Sequence, residues 1–191
     1  MIRNRTELKE YILTDAIANR RSNVKPHFFG DEIWKFQLSL RYLSYYGIRK
    51  KNPVYCVPYL FWRLRYHNLS IKLGFLVPYT MNIGKGFSIA HYGLLTINGA
   101  ATIGENCRIH EGVCIGATNG GHSAAKIGNN VFIGTGASLI GSIEIADNVA
   151  IAAGAVVTKS IKEAGTTWGG VPARKISNND SKSNLAPGLF V

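Results

Sequence analysis

His91 is the residue whose type is least in keeping with its surroundings. It lies in the stretch IGKGFSIAHYGLLTING, where aliphatic residues are followed by small ones on both sides. A histidine side chain has an unperturbed pKa of about 6.5, so it can accept a proton from an alcohol near neutral pH. The sequence therefore marks His91 as a candidate general base, and an ordinary surface histidine is the competing interpretation.

The element that must position His91 is a repeat with a period of six. From Ile83 the chain reads IGKGFS, IAHYGL, INGAAT, IGENCR, IHEGVC and IGATNG, and after GHSAAK it continues as IGNNVF, IGTGAS, LIGSIE, IADNVA and IAAGAV. The first residue is always Ile or Leu, and the fifth is usually small or branched. Short parallel strands joined by tight corners produce this period, because one aliphatic residue per side must point into a narrow shared core. The third position, which His91 occupies, should then face outward.

The same repeat predicts a partner for His91. Three hexads make one coil, and an offset of two between Leu95 and Ile97 lengthens the first coil by that amount. Glu111 should therefore stack on His91 one coil later, about 4.8 Å away between backbones. A carboxylate there can fix the imidazole tautomer and stabilise the imidazolium, although a solvated glutamate is also consistent with the sequence. His110 is predicted to be a corner or interface residue.

Three segments resemble the hexapeptide-repeat acyltransferases, in particular their serine O-acetyltransferase-like branch. The segment from IGKGFSIAH to IHEGVCIGAT is similar to the coils that carry the catalytic histidine of that branch, with His91 on its position. AAKIGNNVFIGTGASLIGSIEIADNVAIAAGAVVTKSI resembles the cofactor-side coils, and WGGVPARKI matches the element that closes the coenzyme A site. The resemblance implies a mainly β fold, with a left-handed parallel β-helix at residues 76–176, a basic α-helical region at 1–75 and a tail at 177–191.

The resemblance also implies acetyl-CoA as co-substrate. The positions that match its contacts are Thr135, Ala153, Thr158, Lys159 and, near the nucleotide phosphates, Arg174. His122, in the glycine-rich loop ATNGGHSAAK, is a candidate contact to the acceptor. No metal is expected, because zinc chemistry on this fold needs a close histidine pair, which His91, His110 and His122 do not show in the sequence.

The acceptor is predicted from residues that depart from the serine-acetylating pattern. Leu76 and Ala90 stand where those enzymes have aspartates, and Ser123-Ala124 stand where they have an Arg-His pair. The sequence is therefore interpreted as that of a sugar O-acetyltransferase, with a role in the synthesis of bacterial surface polysaccharide. Serine O-acetylation, sugar N-acetylation and a trimeric scaffold without catalysis are the alternatives.

The region 1–75 is predicted to form three helices. Asn4 with Glu7 resembles a capping box, Asp31 is expected to cap the second helix, and Asn52-Pro53 the third, with Pro58 kinking or delaying it. The third segment, YLFWRLRYHNLSIKLG, interleaves aromatic and basic residues. It is interpreted first as a helix packed on the next domain or on a second subunit, then as a membrane-surface helix, and last as a nucleic-acid contact, for which no binding motif is present.

Charge and hydropathy add expectations about partners and location. Of the net charge of +11, the region 1–75 carries +9, from 14 Lys and Arg against 5 Asp and Glu. Such a surface suits an anionic ligand or surface. MIRNRTELKE has no apolar block, so a cytoplasmic protein is expected, with contact to the inner membrane face as an option. The predicted assembly is a homotrimer with active sites between subunits, and pairing of two trimers through their helical ends stays open.

Overall fold

Three α-helices open the computed structural model, which describes residues 2–119, 121 and 123–190. They are α1 (Arg5–Ala18), α2 (Glu32–Gly47) and α3 (Pro53–Leu73). The Asn4 side chain accepts a hydrogen bond from the backbone N–H of Glu7 at 2.8 Å, and that of Asn52 accepts one from Val54 at 3.0 Å. These two predicted caps are confirmed.

One local prediction in the helices is wrong, and a second is wrong in part. The Asp31 side chain does not cap α2; it pairs with both terminal nitrogens of Arg21 at 2.8 and 3.0 Å and accepts a hydrogen bond from the His27 N–H. Pro58 does not delay α3, which begins at Pro53 and continues through it, while a kink at Pro58 stays a prediction. The proline removes one hydrogen bond, to Val54, and the freed carbonyl lies near the exposed start of the helix, where water can satisfy it.

Fifteen short strands follow the helices in the described part of the chain. They are β1 (Phe75–Leu76), β2 (Asn82–Ile83), β3 (Ser88–Ile89), β4 (Leu95–Ile97), β5 (Thr102–Ile103), β6 (Arg108–Ile109), β7 (Cys114–Gly116), β8 (Lys126–Ile127), β9 (Phe132–Ile133), β10 (Ser138–Ile140), β11 (Glu144–Ile145), β12 (Ala150–Ile151), β13 (Val156–Val157), β14 (Thr167–Gly169) and β15 (Arg174–Ser177). They form three sheets with the orders β1-β4-β7-β10-β13, β2-β5-β8-β11 and β3-β6-β9-β12-β14-β15. Neighbouring strands pair in parallel, and β14 with β15 is antiparallel. The prediction of a mainly β, parallel β-helix behind a helical region is confirmed.

The interior of the β-helix consists of the first and fifth residues of the hexads, as the repeat predicts. Ile109, Ile115, Ile133, Leu139 and Ile151 are fully buried. Each stacks near an equivalent residue of the adjacent coil, so an apolar column fills the narrow space between the three sheets. The coil that contains ATNGGHSAAK is longer by one hexad, since Cys114 pairs with Ser138 whereas Ser138 pairs with Val156.

One corner of the β-helix is formed by a ladder of asparagines. Asn106, Asn130 and Asn148 have φ angles of 56°, 54° and 60°. Their side chains are joined by hydrogen bonds of 2.9 and 3.0 Å. Asparagine tolerates this left-handed backbone better than other residues with a Cβ. In the coil before, Gly86 holds the same place, where a Cβ would lie 2.2 Å from the Asn106 side-chain oxygen.

The helices are joined to the first coil through a buried ion pair. The Arg41 guanidinium donates to both oxygens of Asp15 at 2.7 and 3.0 Å, and to the backbone oxygens of Ile83 and Gly84. Asp15 also accepts a hydrogen bond from the Phe87 N–H at 3.0 Å. This polar contact fixes the segment that leads into β3, and therefore the approach to His91.

The chain after β15 folds back along the molecule. Leu185 and Ala186 are buried, and a Cβ added at Gly188 would lie 3.1 Å from the side chain of Ile17 in α1. A short 3₁₀ helix begins at Lys182, and a second runs over Pro187–Leu189. The tail therefore packs against both the β-helix and the helical region.

Most of α3 faces outward. Tyr66 and Leu73 are its buried side chains, and its large exposed apolar residues are Val54, Val57, Leu60, Phe61, Leu64 and Ile71. Within the described residues, no helix combines the length and apolar character needed to cross a membrane.

Candidate active site

His91 is exposed and lies just after β3, in the outward-facing third position of its hexad. The preceding residue, Ala90, donates its N–H to the Ile109 carbonyl at 3.0 Å, which holds the turn against the next coil. Ser88 pairs with Arg108 in the neighbouring coil. This offset of 20 becomes 18 where Thr96 pairs with Cys114, so it changes within the turn that holds His91. A Cβ added at Gly93 would lie 3.1 Å from that of Glu111, and His91 approaches Glu111 through its side chain.

Three side chains meet at this point. One ligand-type atom from each of His91, His110 and Glu111 lies within 4.8 Å of those of the other two. The two imidazole rings are 5.2 Å apart between centroids and nearly perpendicular. The sequence argument that no close histidine pair exists is therefore wrong: the pair forms diagonally between adjacent coils, where separation along the chain is no guide to proximity.

Glu111 is held by Thr135. The Thr135 hydroxyl donates to Glu111 Oε1 at 3.0 Å, whereas Glu111 Oε2 is buried without a hydrogen-bond partner among the described residues. A hydrogen bond from its own backbone N–H, and the one from Thr135, lower the pKa of Glu111. The carboxylate is thus ionised at neutral pH and has one oxygen available to a cationic imidazole or another positive group.

His110 is half-buried and lies between Thr135 and Arg108. Its Nδ1 lies 3.4 Å from the Thr135 hydroxyl, and its Nε2 accepts a long 3.5 Å hydrogen bond from Arg108 Nε. Partial burial, and then the charge of Arg108, lower its pKa, against the opposing effect of Glu111. His110 is therefore a neutral ring between His91 and the Phe132 edge.

The residues matched to catalytic and to cofactor positions share one column. Gly136 N–H donates to the Glu111 carbonyl at 2.9 Å, and Gly154 N–H donates to the Thr135 carbonyl at 2.8 Å. These bonds place Glu111, Thr135 and Ala153 at successive levels of the same corner, and the His91 side chain lies close to that of Glu111. Thr135 and Ala153 are both exposed there.

The remaining cofactor candidates meet at the last coil. Thr158, Lys159 and Arg174 line a cavity of about 260 Å³ together with Trp168 and Pro172. The Val171–Pro172 peptide bond that shapes this wall is cis. Two cations in one cavity suit phosphate groups, which bind guanidinium and ammonium donors. His122, the predicted acceptor contact, lies outside the described residues.

The helical region also borders the site, which the sequence did not reveal. The Tyr92 hydroxyl lies 3.5 Å from a carboxylate oxygen of Glu32, and Glu32 pairs with Lys72 at 3.2 Å. These residues and Leu94 line a surface cavity of about 640 Å³ at the turn that follows His91. No local sequence signal joins α2, α3 and the turn after β3, because the three lie far apart along the chain.

Comparison with known proteins supports the resemblance. The family model described as bacterial transferase hexapeptide (six repeats) matches residues 124–159. This match, together with the relatives below, confirms the predicted similarity to the serine acetyltransferase-like branch of the hexapeptide-repeat acyltransferases.

The relatives share only part of their length with this chain. A serine acetyltransferase of Synechococcus elongatus is 34% identical over 116 residues, covering 60% of this chain and 47% of that protein. One of Escherichia coli strain K12 is 36% identical over 101 residues, covering 52% and 37%. The chain thus spans about half or less of these proteins. The crystal structure of a serine acetyltransferase from Brucella abortus strain S19 superposes with a TM-score of 0.73 at 24% identity, over 93% of this chain and 72% of that one, which shows the shared fold.

The predicted sugar acceptor is wrong, because the curated relatives at 34–36% identity are named serine acetyltransferases. The inference rested on missing charges at Leu76, Ala90 and Ser123-Ala124. It also rested on the basic, aromatic helical region, in which Arg41, Arg21 and Arg49 are paired within the chain.

The basic helical region, interpreted from its sequence as a surface for anionic partners, uses much of its charge internally. Arg41 is buried against Asp15, and Arg21 pairs with Asp31. Other cations lie over aromatic rings of the same region or the segment after it: Arg49 on Tyr45, Lys50 on Tyr59 and Arg63 on Tyr79. Part of the basic and aromatic character of this region is thus explained by packing within the chain.

Proposed function

We propose that this chain is an acetyl-CoA-dependent serine O-acetyltransferase in which His91 is the general base. The observation that carries the proposal is the cluster of His91 with Glu111 on the corner that also presents Thr135 and Ala153. The named relatives supply the acceptor class. We also propose that the enzyme acts in the cytoplasm.

The chemistry follows from the properties of an imidazole beside a carboxylate. His91 accepts the proton of the acceptor hydroxyl as its oxygen attacks the thioester carbonyl directly, without an acyl-enzyme. The tetrahedral oxyanion collapses, the C–S bond breaks, and the coenzyme A sulfur takes the proton back from the His91 imidazolium. Glu111 stabilises that imidazolium and fixes its orientation. Thr135 in turn holds Glu111 in place through its hydroxyl.

The cavity at the last coil is the proposed seat of the anionic end of acetyl-CoA. Lys159 and Arg174 would bind its phosphates, and Thr158 offers a hydroxyl at the cavity edge. Along the corner, the small side chain of Ala153 allows an extended arm to lie close to the backbone between this cavity and His91.

Serine binding is expected to be weak in this chain. By the resemblance, the charged residues that hold the ends of the amino acid are absent at Leu76, Ala90 and Ser123-Ala124. These losses affect substrate and transition state alike, so they raise KM more than they lower kcat. Glu111 and His91 are unaffected by them.

We further propose that the working form is a homotrimer. His91 faces outward on a regular three-sided column, so a neighbouring column is needed to enclose the reacting groups. Light scattering should give a mass about three times the 20.9 kDa of the chain, and a monomer at assay concentration would contradict this.

The test is release of the coenzyme A thiol from acetyl-CoA with L-serine, with O-acetylserine identified by mass spectrometry. L-alanine, which lacks only the hydroxyl, measures background hydrolysis. Thiol release with L-serine well above that with L-alanine supports the proposal. Equal rates at saturating acetyl-CoA, across serine concentrations up to its solubility, would refute it.

A further inference from the structure

Two imidazoles and a carboxylate converge in the His91 cluster, defined as His91, His110 and Glu111. Among the described residues, these form the group of three His, Cys, Asp or Glu side chains whose donor atoms lie close enough to hold one ion. We propose that the His91 cluster binds a single divalent first-row transition ion such as Zn²⁺, and that the bound ion inhibits acetyl transfer. The inhibition rests on the proposed function; the binding does not.

The donor set suits such an ion. Two imidazole nitrogens and one carboxylate oxygen are ligands that Zn²⁺ takes at about 2.0–2.2 Å, which places the donors about 3.4 Å apart in a tetrahedral site. The present separations are within 4.8 Å. The donors must therefore close in by about 1.4 Å or less to reach that geometry. His91 is exposed, and rotation of its side chain can supply much of that movement without disturbing the core.

The surroundings of the cluster already support its donors from behind. Thr135 contacts both Glu111 Oε1, at 3.0 Å, and His110 Nδ1, at 3.4 Å. Glu111 Oε2 is left buried and without a hydrogen-bond partner in the described part of the chain. A carboxylate held through one oxygen and available at the other is arranged as a monodentate ligand, and the orphaned buried oxygen gains a partner when an ion binds.

Arg108 is the group that opposes the ion. Its Nε lies 3.5 Å from His110 Nε2, and a second cation, Arg20, is near enough to lower the Arg108 pKa, after the larger effect of burial. Arg108 must therefore either move away from His110 Nε2 or leave Nδ1 as the nitrogen that binds the ion. The positive charge of Arg108 repels the ion and weakens its binding. A variant without this charge is therefore expected to bind the ion more tightly.

Binding and catalysis compete for the same electron pair. A neutral imidazole has one lone pair, so once His91 binds the ion through one nitrogen its other nitrogen carries the proton and cannot accept one from the hydroxyl. Occupancy therefore blocks the general base while leaving the distant cavity of Lys159 and Arg174 untouched. Inhibition should lower kcat, be reversed by a chelator, and leave the KM for acetyl-CoA unchanged.

The experiment titrates the untagged chain with Co²⁺, a spectroscopic substitute for Zn²⁺, and measures Zn²⁺ affinity by calorimetry against a competing chelator. We expect one ion per chain and the visible absorption of low-symmetry Co²⁺. His110→Asn and Glu111→Gln should each weaken binding by at least about tenfold, and Arg108→Met should strengthen it. His67→Asn is the matched control, since His67 is an exposed histidine of α3 outside the cluster.

The outcomes separate this proposal from the serine acetyltransferase proposal. Stoichiometric Co²⁺ binding lost in the cluster variants supports the metal site even if no serine is acetylated. The metal-site proposal is overturned, even if serine is acetylated, if no saturable binding is found. It is also overturned if binding survives the double variant His110→Asn with Glu111→Gln but is lost in His67→Asn. Binding without inhibition of an active enzyme would remove the regulatory part of the proposal.

Discussion

The helical region and the β-helix achieve burial in different ways. In the β-helix, Ile109, Ile133 and Ile151 occupy equivalent places in successive coils, so each contact is nearly a copy of the next. In the helical region, the buried pair of Asp15 and Arg41 joins positions 26 apart, and its further bond to Phe87 joins positions 72 apart. A repeated apolar core can lose one contact and keep its neighbours, whereas a single buried ion pair has no copy elsewhere.

The largest expected effect is therefore on the ion pair. Asp15→Ala leaves the Arg41 guanidinium buried without its counter-charge and should lower the free energy of unfolding by about 3–5 kcal/mol. The measurement is urea denaturation followed by circular dichroism. Glu144→Gln is the control, because its pair with Lys126 is exposed. Such a pair should contribute less than about 1 kcal/mol, and equal effects of the two substitutions would abolish the distinction between the regions.

The corner ladder should show an intermediate effect. Asn130→Ala places alanine at a φ of 54°. It also removes the two side-chain hydrogen bonds to Asn106 and Asn148. The expected loss in the free energy of unfolding is about 1–3 kcal/mol. Asn130→Gly loses the same bonds but relieves the backbone strain, so it should be the milder change in urea denaturation. If glycine proved as destabilising as alanine, the left-handed backbone would not be the reason for asparagine at this corner.

A single methyl group tests the repetitive core. Ile133 is fully buried. The substitution Ile133→Val should reduce the free energy of unfolding, measured by urea denaturation, by about 0.5–1.5 kcal/mol. Ile109→Val, one coil earlier, should give a similar value, since the two residues pair in register. Values that differ by more than about 1 kcal/mol would show that the coils are not equivalent.

The smallest expected effect is on the pH dependence of the unfolding free energy. It arises from one ion pair of the helical region, Arg21 with Asp31. A hydrogen bond from Arg21, assisted by the His27 N–H, lowers the pKa of Asp31. A carboxyl group with a lowered folded-state pKa adds stability that is present above its unfolded value and lost as the pH falls through the folded value. Between about pH 5 and about pH 2, the wild type should thus lose more stability than Asp31→Asn. Parallel curves of unfolding free energy against pH for the two proteins would contradict the assignment.

The difference between a repeated core and single long-range contacts also explains which features could be predicted from the sequence. The hexad period fixes which residues point inward and, through the length of the first coil, brings Glu111 to His91. The contact of His110 with His91 was not predicted, because it is diagonal between coils and depends on side-chain rotamers. The role of Asp31 was also misjudged, because a local capping pattern competes with Arg21, a partner 10 residues away. Tyr92 contacts Glu32 of α2 because the helices pack on the first coil, and the hexad period carries no information about that packing.

The claim on which the account depends is that His91 acts as the base in acetyl transfer to serine. The direct measurement is the steady-state rate of thiol release from acetyl-CoA with L-serine for the wild type and His91→Asn, in the presence of a chelator. General-base catalysis by His91 predicts a kcat lower by about 10²–10⁴ in the variant, with little change in the KM for acetyl-CoA. A variant that keeps its kcat to within about threefold of the wild type would contradict it.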